Sequence, residues 1–168
     1  MDYTGNKAPA INWAIYMKDY KMKLTSIILY EGIEYDPAFN KLVDAIKDAG
    51  GIYKGSGDYG SVYFLKGKAV KVTTDGDELD HAELIKGKKT NNFVHIFDVK
   101  RHDERLGVIT MEILSELDNP EAEITEEFIA ALEQEANRLG IPADELDLTH
   151  DGNFMKHPKS GKLKHIDV

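Results

Sequence analysis

A glycine-rich segment followed by two short apolar runs limits the folds that this sequence can adopt. Gly55–Val62 (GSGDYGSV) fits the pattern G-x-G-x-x-G-x-V. A dinucleotide-binding loop with this pattern opens a helix. Here the β-branched and aromatic run Val62–Leu65 follows instead, then a Lys-Gly-Lys turn and the apolar run Ala69–Val72. Two such runs around a tight turn predict a β-hairpin. An ordinary glycine-rich turn is the simplest explanation when this motif is taken alone.

The composition excludes several classes of function. The 168 residues include no cysteine, which excludes disulfide scaffolds, cysteine-ligated zinc, iron–sulfur clusters and thiol nucleophiles. With 21 Lys and Arg against 30 Asp and Glu, the net charge of −9 argues against direct nucleic-acid binding. No run approaches the ~18 apolar residues of a membrane span, and the N-terminus lacks a signal-peptide pattern. We therefore expect a soluble cytoplasmic protein with no membrane partner.

Hydrophobic periodicity predicts an α+β fold with a mostly antiparallel sheet. For the apolar run Lys23–Tyr30, a helix and a buried strand both remain open. Asp75–Glu78 lacks the ligand positions of a calcium loop and is interpreted as a helix cap. The predicted elements are a helix Pro37–Ala49, the hairpin 62–72, a helix Asp77–Lys88, strands Phe93–Val99 and Leu106–Ile113, a helix from the N-cap Thr125 to Gly140, and tail strands Phe154–Met155 and Leu163–Val168.

Two apolar strands contain residues that a binding site can use. Lys71 lies within Ala69–Val72, and a lysine inside an apolar strand needs a partner or a ligand unless it reaches water from an edge strand. Val108–Leu114 is an apolar strand that contains Met111 and Glu112. An ordinary buried strand is its simplest explanation, and the wall of an apolar ligand pocket is the alternative.

Oxygen-bearing side chains cluster near the C-terminus. The segment Asp147–Asn153 (DLTHDGN) is followed, after Met155, by Asp167. Carboxylate and amide oxygens are hard ligands suited to Mg²⁺, and a carboxylate can also accept a hydroxyl proton. A solvated Asx-rich turn has a similar composition. The order of all four motifs along the chain is therefore more informative than any one of them.

The four motifs in this order resemble the eukaryotic-type protein-kinase fold. The chain looks most similar to the early-expressed Ser/Thr kinases of short-tailed lytic bacteriophages, from about Phe39 to Val168. The four motifs are generic to kinases, whereas the segment from Asp98 to His102 points toward the phage group. The resemblance implies an N-lobe-like part at 39–114 and a minimal C-lobe-like part at 115–168. Residues 1–38 are an extension that it does not cover.

The resemblance implies ATP and Mg²⁺ as cofactors and gives the motif residues their roles. It implies that Gly55, Gly57 and Gly60 cover the phosphates, and that Asn153 and Asp167 bind Mg²⁺. Lys71 would bind phosphate and pair with Glu83 or, as second choice, Glu78. The adenine slot would be lined by Val62, Ala69 and Met155, with Met111 at its rear and Glu112 in the hinge strand.

The chain departs from the kinase pattern in two ways. The catalytic Asp and the Asn are normally separated by four residues, but Asp147 is one residue too far from Asn153, and Leu148 occupies the expected position. Either Thr149 is an insertion that bulges the loop, or Asp151 takes the catalytic role, or no base remains. The resemblance also ends just after Asp167, so it implies a truncated kinase without an activation segment or peptide-docking helices.

Three functions follow from these observations. The first is a minimal phage-type kinase that transfers the ATP γ-phosphate to Ser or Thr of host proteins. The second is a catalytically weak pseudokinase that binds and inhibits a host protein, with the acidic surface as one means of binding. The third is an acidic mimic that only reuses the fold. Residues 112–135, which contain no Lys or Arg, supply such a surface, although a solvated helix face is its simplest explanation.

Overall fold

The structure, a computed structural model, describes residues 36–166. The apolar run Lys23–Tyr30, Asp167 and the end of the last predicted strand lie outside these residues. The helices are α1 (Pro37–Asp48), α2 (Gly76–Ile85), α3 (Pro120–Glu123) and α4 (Glu126–Leu139), and the strands are β1 (Ile52–Gly57), β2 (Gly60–Leu65), β3 (Lys68–Thr73), β4 (Ile96–Arg101), β5 (Gly107–Met111), β6 (Phe154–Lys156) and β7 (Leu163–His165).

The five N-terminal strands form one antiparallel sheet in the order β1-β2-β3-β5-β4, and β6 and β7 form a second antiparallel pair. This arrangement confirms the predicted α+β class. Strand β1 is not evident from the sequence, because Ile52–Gly57 contains two glycines and a lysine and therefore has low intrinsic strand preference. Hydrogen bonding to β2 stabilises this strand despite its low intrinsic preference.

Strand β3 divides its side chains between two layers. Val70 and Val72 face α1, where they join a core cluster with Phe39 and Val43. Ala69 and Lys71 alternate with them and line the opposite face. Successive side chains of a strand point to opposite faces. Because Val70 and Val72 face α1, Lys71 points away from α1.

Caps in the sequence fix the two longest helices. Asp36 accepts hydrogen bonds from Ala38 N at 2.8 Å and Phe39 N at 3.3 Å, and begins α1. Thr125 accepts one from Phe128 N at 3.2 Å, and α4 ends at Gly140 with φ of 90°. Side-chain oxygens at an N-cap satisfy helix N–H groups that have no partner inside the helix. The predicted helices at these two places are confirmed.

Helices α2 and α4 pack in one core cluster on the other side of the sheet. Leu79 and Ile85 of α2 lie in this cluster with Leu132 of α4 and Phe154 of β6. The predicted strand Phe93–Val99 begins later, at Ile96, because Phe93 instead forms a parallel bridge with His165 of β7. The chain before β4 therefore connects the sheet to the C-terminal hairpin.

Within residues 36–166, no helix is long and apolar enough to span a membrane.

Candidate functional site

A cleft of about 1400 Å³ lies between the sheet and the C-terminal segments. Its lining combines the glycine segment, the lysine strand, the end of β5 and the Asp/Asn loop, which are far apart in sequence. The sequence-predicted residues that line it are Gly55, Gly57, Gly60, Val62, Ala69, Lys71, Met111, Glu112, Asp147, Asp151, Asn153 and Met155. Glu83 is not among them, and Asp167 lies outside the described residues.

Lys71 forms an ion pair with Glu78 of α2 in the floor of this cleft. The Lys71 side chain is 21% exposed and that of Glu78 is 4% exposed. A carboxylate this deeply buried needs a cationic partner. The pair therefore fixes the ammonium group at the cleft surface and fixes α2 against the sheet.

The prediction that Glu83 is the partner of Lys71 is wrong, and the second choice, Glu78, forms the pair. Glu83 is instead bound to Arg101, whose Nε donates to its carboxylate at 2.8 Å. Five residues along a helix correspond to a rotation of about 140°. Because Glu78 faces β3, Glu83 faces the other way, toward β4 and solvent.

The glycine segment is a tight hairpin at one wall of the cleft. Gly57 and Gly60 are paired residues at the ends of β1 and β2, with Asp58 and Tyr59 between them. The Tyr59 carbonyl accepts hydrogen bonds from Thr74 N at 2.7 Å and from Thr74 Oγ1 at 3.0 Å. The tip of the hairpin is therefore tied to the end of β3.

The three glycines of the hairpin serve different purposes. A Cβ added to Gly60 would lie 2.3 Å from the Val72 carbonyl oxygen, so the packing of β2 on β3 requires glycine there. Added Cβ atoms at Gly55 and Gly57 would meet nothing within 4 Å. These two glycines leave room for a ligand to approach the backbone, which is what a phosphate-binding hairpin requires.

The inner part of the cleft is apolar. Val62 and Ala69 line it from β2 and β3, Met111 lies at the end of β5, and Met155 lines it from β6. Met111 and Ala69 are paired across β3 and β5, and both are buried. An apolar slot with few polar groups is the usual form of a site for a flat ring system.

Glu112 is engaged by the chain that leads into β4. Its carboxylate accepts a hydrogen bond from His95 N at 2.8 Å, and its own N–H donates to the His95 carbonyl at 3.0 Å. The side chain therefore fixes the path of the backbone behind Met111.

Asp147 is held by hydrogen bonds within its own loop. Thr149 donates to Asp147 Oδ1 from its hydroxyl at 2.7 Å and from its N–H at 3.1 Å. Asn153 Nδ2 donates to Asp147 Oδ2 and to the Asp147 carbonyl, each at 3.1 Å. The Thr149 hydroxyl is the main cause that holds the pKa of Asp147 below its ordinary value, with smaller help from Asn153 and His150. The carboxylate therefore stays ionised and oriented.

Of the two predicted magnesium ligands, Asn153 is the one that the structure describes. Because its Nδ2 is used on Asp147, the amide oxygen points elsewhere, and no residue within 36–166 donates to it. The Ile166 N–H donates to the Asn153 carbonyl at 2.8 Å, so the residue before Asp167 lies beside Asn153. In the described part of the chain, His, Asp and Glu form no group of three that could hold a metal.

The cleft is strongly acidic. Among the residues of 36–166 that line it, two lysines, Lys54 and Lys71, face nine carboxylates, which are Asp58, Asp75, Asp77, Glu78, Glu112, Glu116, Glu145, Asp147 and Asp151. Such a field favours cations and disfavours a polyphosphate that is not accompanied by them.

One interaction that the sequence does not predict crosses the cleft. His81 Nε2 lies 2.8 Å from Glu145 Oε2, which connects α2 to the short 3₁₀ turn Ala143–Glu145 just before Asp147. His81 is three residues after Glu78 and so lies on the same helix face. The spacing of Glu78 and His81 shows that both residues lie on one face of α2. Nothing in the sequence relates position 81 to position 145.

The fold belongs to a known class, although no protein-family model and no curated protein matches the chain. It is a protein-kinase-like fold, as a comparison with solved structures shows. A structure of Rad53 residues 1–466 with AMP-PNP matches with a TM-score of 0.51 and 18% identity over 73% of this chain. The kinase domain of Mycobacterium tuberculosis PknI also matches, with a TM-score of 0.44 and 13% identity over 69% of this chain. This chain covers 38% of the Rad53 chain and 57% of the PknI chain.

Proposed function

We propose that this chain is a minimal protein kinase of the phage type, which uses ATP and Mg²⁺ and transfers the γ-phosphate to Ser or Thr of host proteins. The observation that carries the proposal is the position of two charged groups on one cleft. Lys71, paired with Glu78, lies on the sheet side, and Asp147, tied to Asn153, lies on the loop side. Phosphoryl transfer needs a cation on the phosphates and a carboxylate at the acceptor hydroxyl.

The nucleotide part of the proposal rests on the shape of the sheet side. The slot formed by Val62, Ala69 and Met111 suits an adenine ring, and the open space at Gly55 and Gly57 suits phosphates. The similar Rad53 structure was solved with AMP-PNP. We infer that ATP lies with its ring in the slot and its phosphates between the hairpin and Lys71.

The magnesium part rests on charge and on donor chemistry. In the described part of the cleft, nine carboxylates against two lysines disfavour ATP that carries no metal ion. Asn153 and Asp167 would hold the ion. Bound Mg²⁺ would neutralise the charge on the phosphate oxygens.

A transfer assay with matched lysine variants tests the proposal. Purified protein is incubated with γ-labelled ATP, Mg²⁺ and a host-cell lysate, in parallel with Lys71→Ala and Lys68→Ala. Both variants lose one lysine from β3, but Lys68 is exposed and outside the cleft. We expect label on the protein or on a discrete lysate band, lost by at least about 100-fold in Lys71→Ala and retained in Lys68→Ala.

The kinase hypothesis would be rejected if the wild-type protein transferred no more label than Lys71→Ala. Cooperative thermal unfolding of the wild-type protein is the control that shows that it is folded. Equal loss in both variants would show that charge on β3, and not the cleft lysine, is responsible.

A second candidate function is a pseudokinase that binds and inhibits a host protein. The acid-rich cleft favours it, since such a surface attracts a basic partner without any chemistry. A stable complex with one host protein that forms without ATP and survives Lys71→Ala would favour this function. A complex that depends on ATP or on Lys71 would favour the kinase.

A further inference from the structure

The loop from Asp147 to Asn153 contains one residue more than the kinase motif, and a residue of this loop binds the Asp147 carboxylate. Thr149 donates twice to Oδ1, from its hydroxyl at 2.7 Å and from its N–H at 3.1 Å. Asn153 Nδ2 donates once to Oδ2 at 3.1 Å. The longer loop thus supplies two hydrogen bonds that hold the carboxylate.

We propose that Thr149 is a positioning residue that orients Asp147, and that Asp147, not Asp151, receives the proton of the acceptor hydroxyl. This inference rests on the proposed kinase function. A carboxylate has about four lone-pair sites. Thr149 occupies both sites of Oδ1, and Asn153 occupies one site of Oδ2. The remaining site on Oδ2 is therefore the one that can accept the acceptor hydroxyl.

The reaction step balances with these groups. The acceptor hydroxyl oxygen forms a bond to the γ-phosphorus of ATP, and the bond from that phosphorus to the β–γ bridging oxygen breaks. ADP leaves with the electron pair of the broken bond. The hydroxyl proton passes to Asp147 Oδ2 and then to water, so that Asp147 returns to its ionised form.

Asp151 lacks comparable support. It begins the short 3₁₀ turn Asp151–Asn153, and within residues 36–166 nothing donates a hydrogen bond to its exposed carboxylate. A side chain without such bonds must be ordered at the moment of reaction, and loss of orientation slows catalysis. The structure therefore separates two aspartates that the sequence alone left as alternatives.

A pair of substitutions at Thr149 separates its hydroxyl from its methyl group. Thr149→Val keeps the β-branched shape and the backbone N–H but removes the hydroxyl, whereas Thr149→Ser keeps the hydroxyl. Thr149 does not line the cleft. We expect kcat to fall by about 10- to 100-fold in Thr149→Val, to stay near wild type in Thr149→Ser, and ATP affinity to be the same in all three proteins.

Two further substitutions separate the two aspartates. Asp147→Asn should abolish transfer, and Asp151→Asn should cause a much smaller loss. An intact rate in Thr149→Val, a loss confined to Thr149→Ser, or a larger loss in Asp151→Asn would overturn the inference.

A measurement of side-chain order, which needs no activity, keeps this inference separate from the proposed function. The χ1 rotamer of Asp147 is followed by NMR scalar couplings in wild type, Thr149→Val and Thr149→Ser. Averaging among rotamers in Thr149→Val alone would support the positioning role. A single rotamer retained in all three proteins would overturn it. Absence of phosphate transfer by the wild type would reject the kinase and, with it, the proton-acceptor role of Asp147.

Discussion

The sheet side and the loop side of the cleft hold their charged groups in different ways. Lys71 is placed by strand pairing with β2 and β5, and its partner Glu78 by a helix that packs in the core. Asp147 is held by Thr149 and Asn153, which follow it by two and six residues. Defects on the sheet side should therefore lower the free energy of unfolding, whereas defects on the loop side should leave the fold intact and alter chemistry.

The largest expected effect is a loss of stability on the sheet side of the cleft, caused by Gly60→Ala. In Gly60→Ala the new Cβ would lie 2.3 Å from the Val72 carbonyl oxygen, so β2 and β3 must separate. We expect the free energy of unfolding to fall by about 3 kcal/mol, measured by urea denaturation. The tip of the hairpin should also loosen, because it is anchored to Thr74 just after β3.

Gly57→Ala is the matched control for Gly60→Ala. Its Cβ meets nothing within 4 Å, so the free energy of unfolding should change by less than about 1 kcal/mol. The same methyl group would enter the space assigned to phosphate, and ATP binding should weaken. Equal stability of the two variants would contradict the different roles given to these glycines.

The next effect concerns the ion pair. Glu78→Gln leaves Lys71 facing a neutral amide in a partly buried site, and we expect a loss of about 2 kcal/mol in the free energy of unfolding. Glu83→Gln is the matched control on the same helix. The Glu83 side chain is 47% exposed and pairs with Arg101 at the surface. Glu83→Gln should therefore lower the free energy of unfolding by less than about 1 kcal/mol.

Thermal or urea denaturation of these two variants decides which glutamate supports the sheet side. A larger loss in Glu83→Gln would show that the Lys71–Glu78 pair contributes little. ATP affinity gives a second measurement, since only Glu78→Gln should leave Lys71 poorly oriented toward phosphate.

The sequence predicted those parts of the fold that local rules determine. The helix that begins at Pro37 and the N-cap Thr125 were predicted, because a capping residue and the helix it begins are neighbours in the sequence. Lys71 was predicted to need a partner or a ligand because it lies inside an apolar strand, and it pairs with Glu78.

The sequence did not predict contacts that depend on rotation or on distant partners. The choice between Glu78 and Glu83 depends on which face of α2 meets β3, a matter of about 140° that the motif does not specify. Strand β1 depends on β2, and the contact of His81 with Glu145 joins two elements 64 residues apart. The role of Thr149 required side-chain geometry, because an added loop residue can either distort a site or complete it.

The smallest expected effect is a pH dependence of the free energy of unfolding that comes from Lys164, which lies where the C-terminal hairpin contacts the chain before β4. Lys164 of β7 is 8% exposed, and its Nζ donates to the carbonyls of Thr90 at 3.2 Å and Phe93 at 3.0 Å, just before β4. Burial lowers the pKa of Lys164 below its ordinary 10.5, against the smaller opposing influence of Glu112 and Glu135. Between the lowered pKa and 10.5 the unfolded chain binds more protons than the folded chain, so stability from this group rises with pH across that window.

Lys164→Met should remove this rise, and Lys159→Met, which changes an exposed lysine in the turn of the same hairpin, should not. The free energy of unfolding is measured from about pH 8 to about pH 10 for wild type and both variants. Other alkaline groups are common to all three proteins and cancel in the differences. The wild-type curve should rise relative to Lys164→Met and run parallel to Lys159→Met. Parallel curves for wild type and Lys164→Met would mean that the ammonium group between the two sides is solvated, so that their contact depends on apolar packing alone.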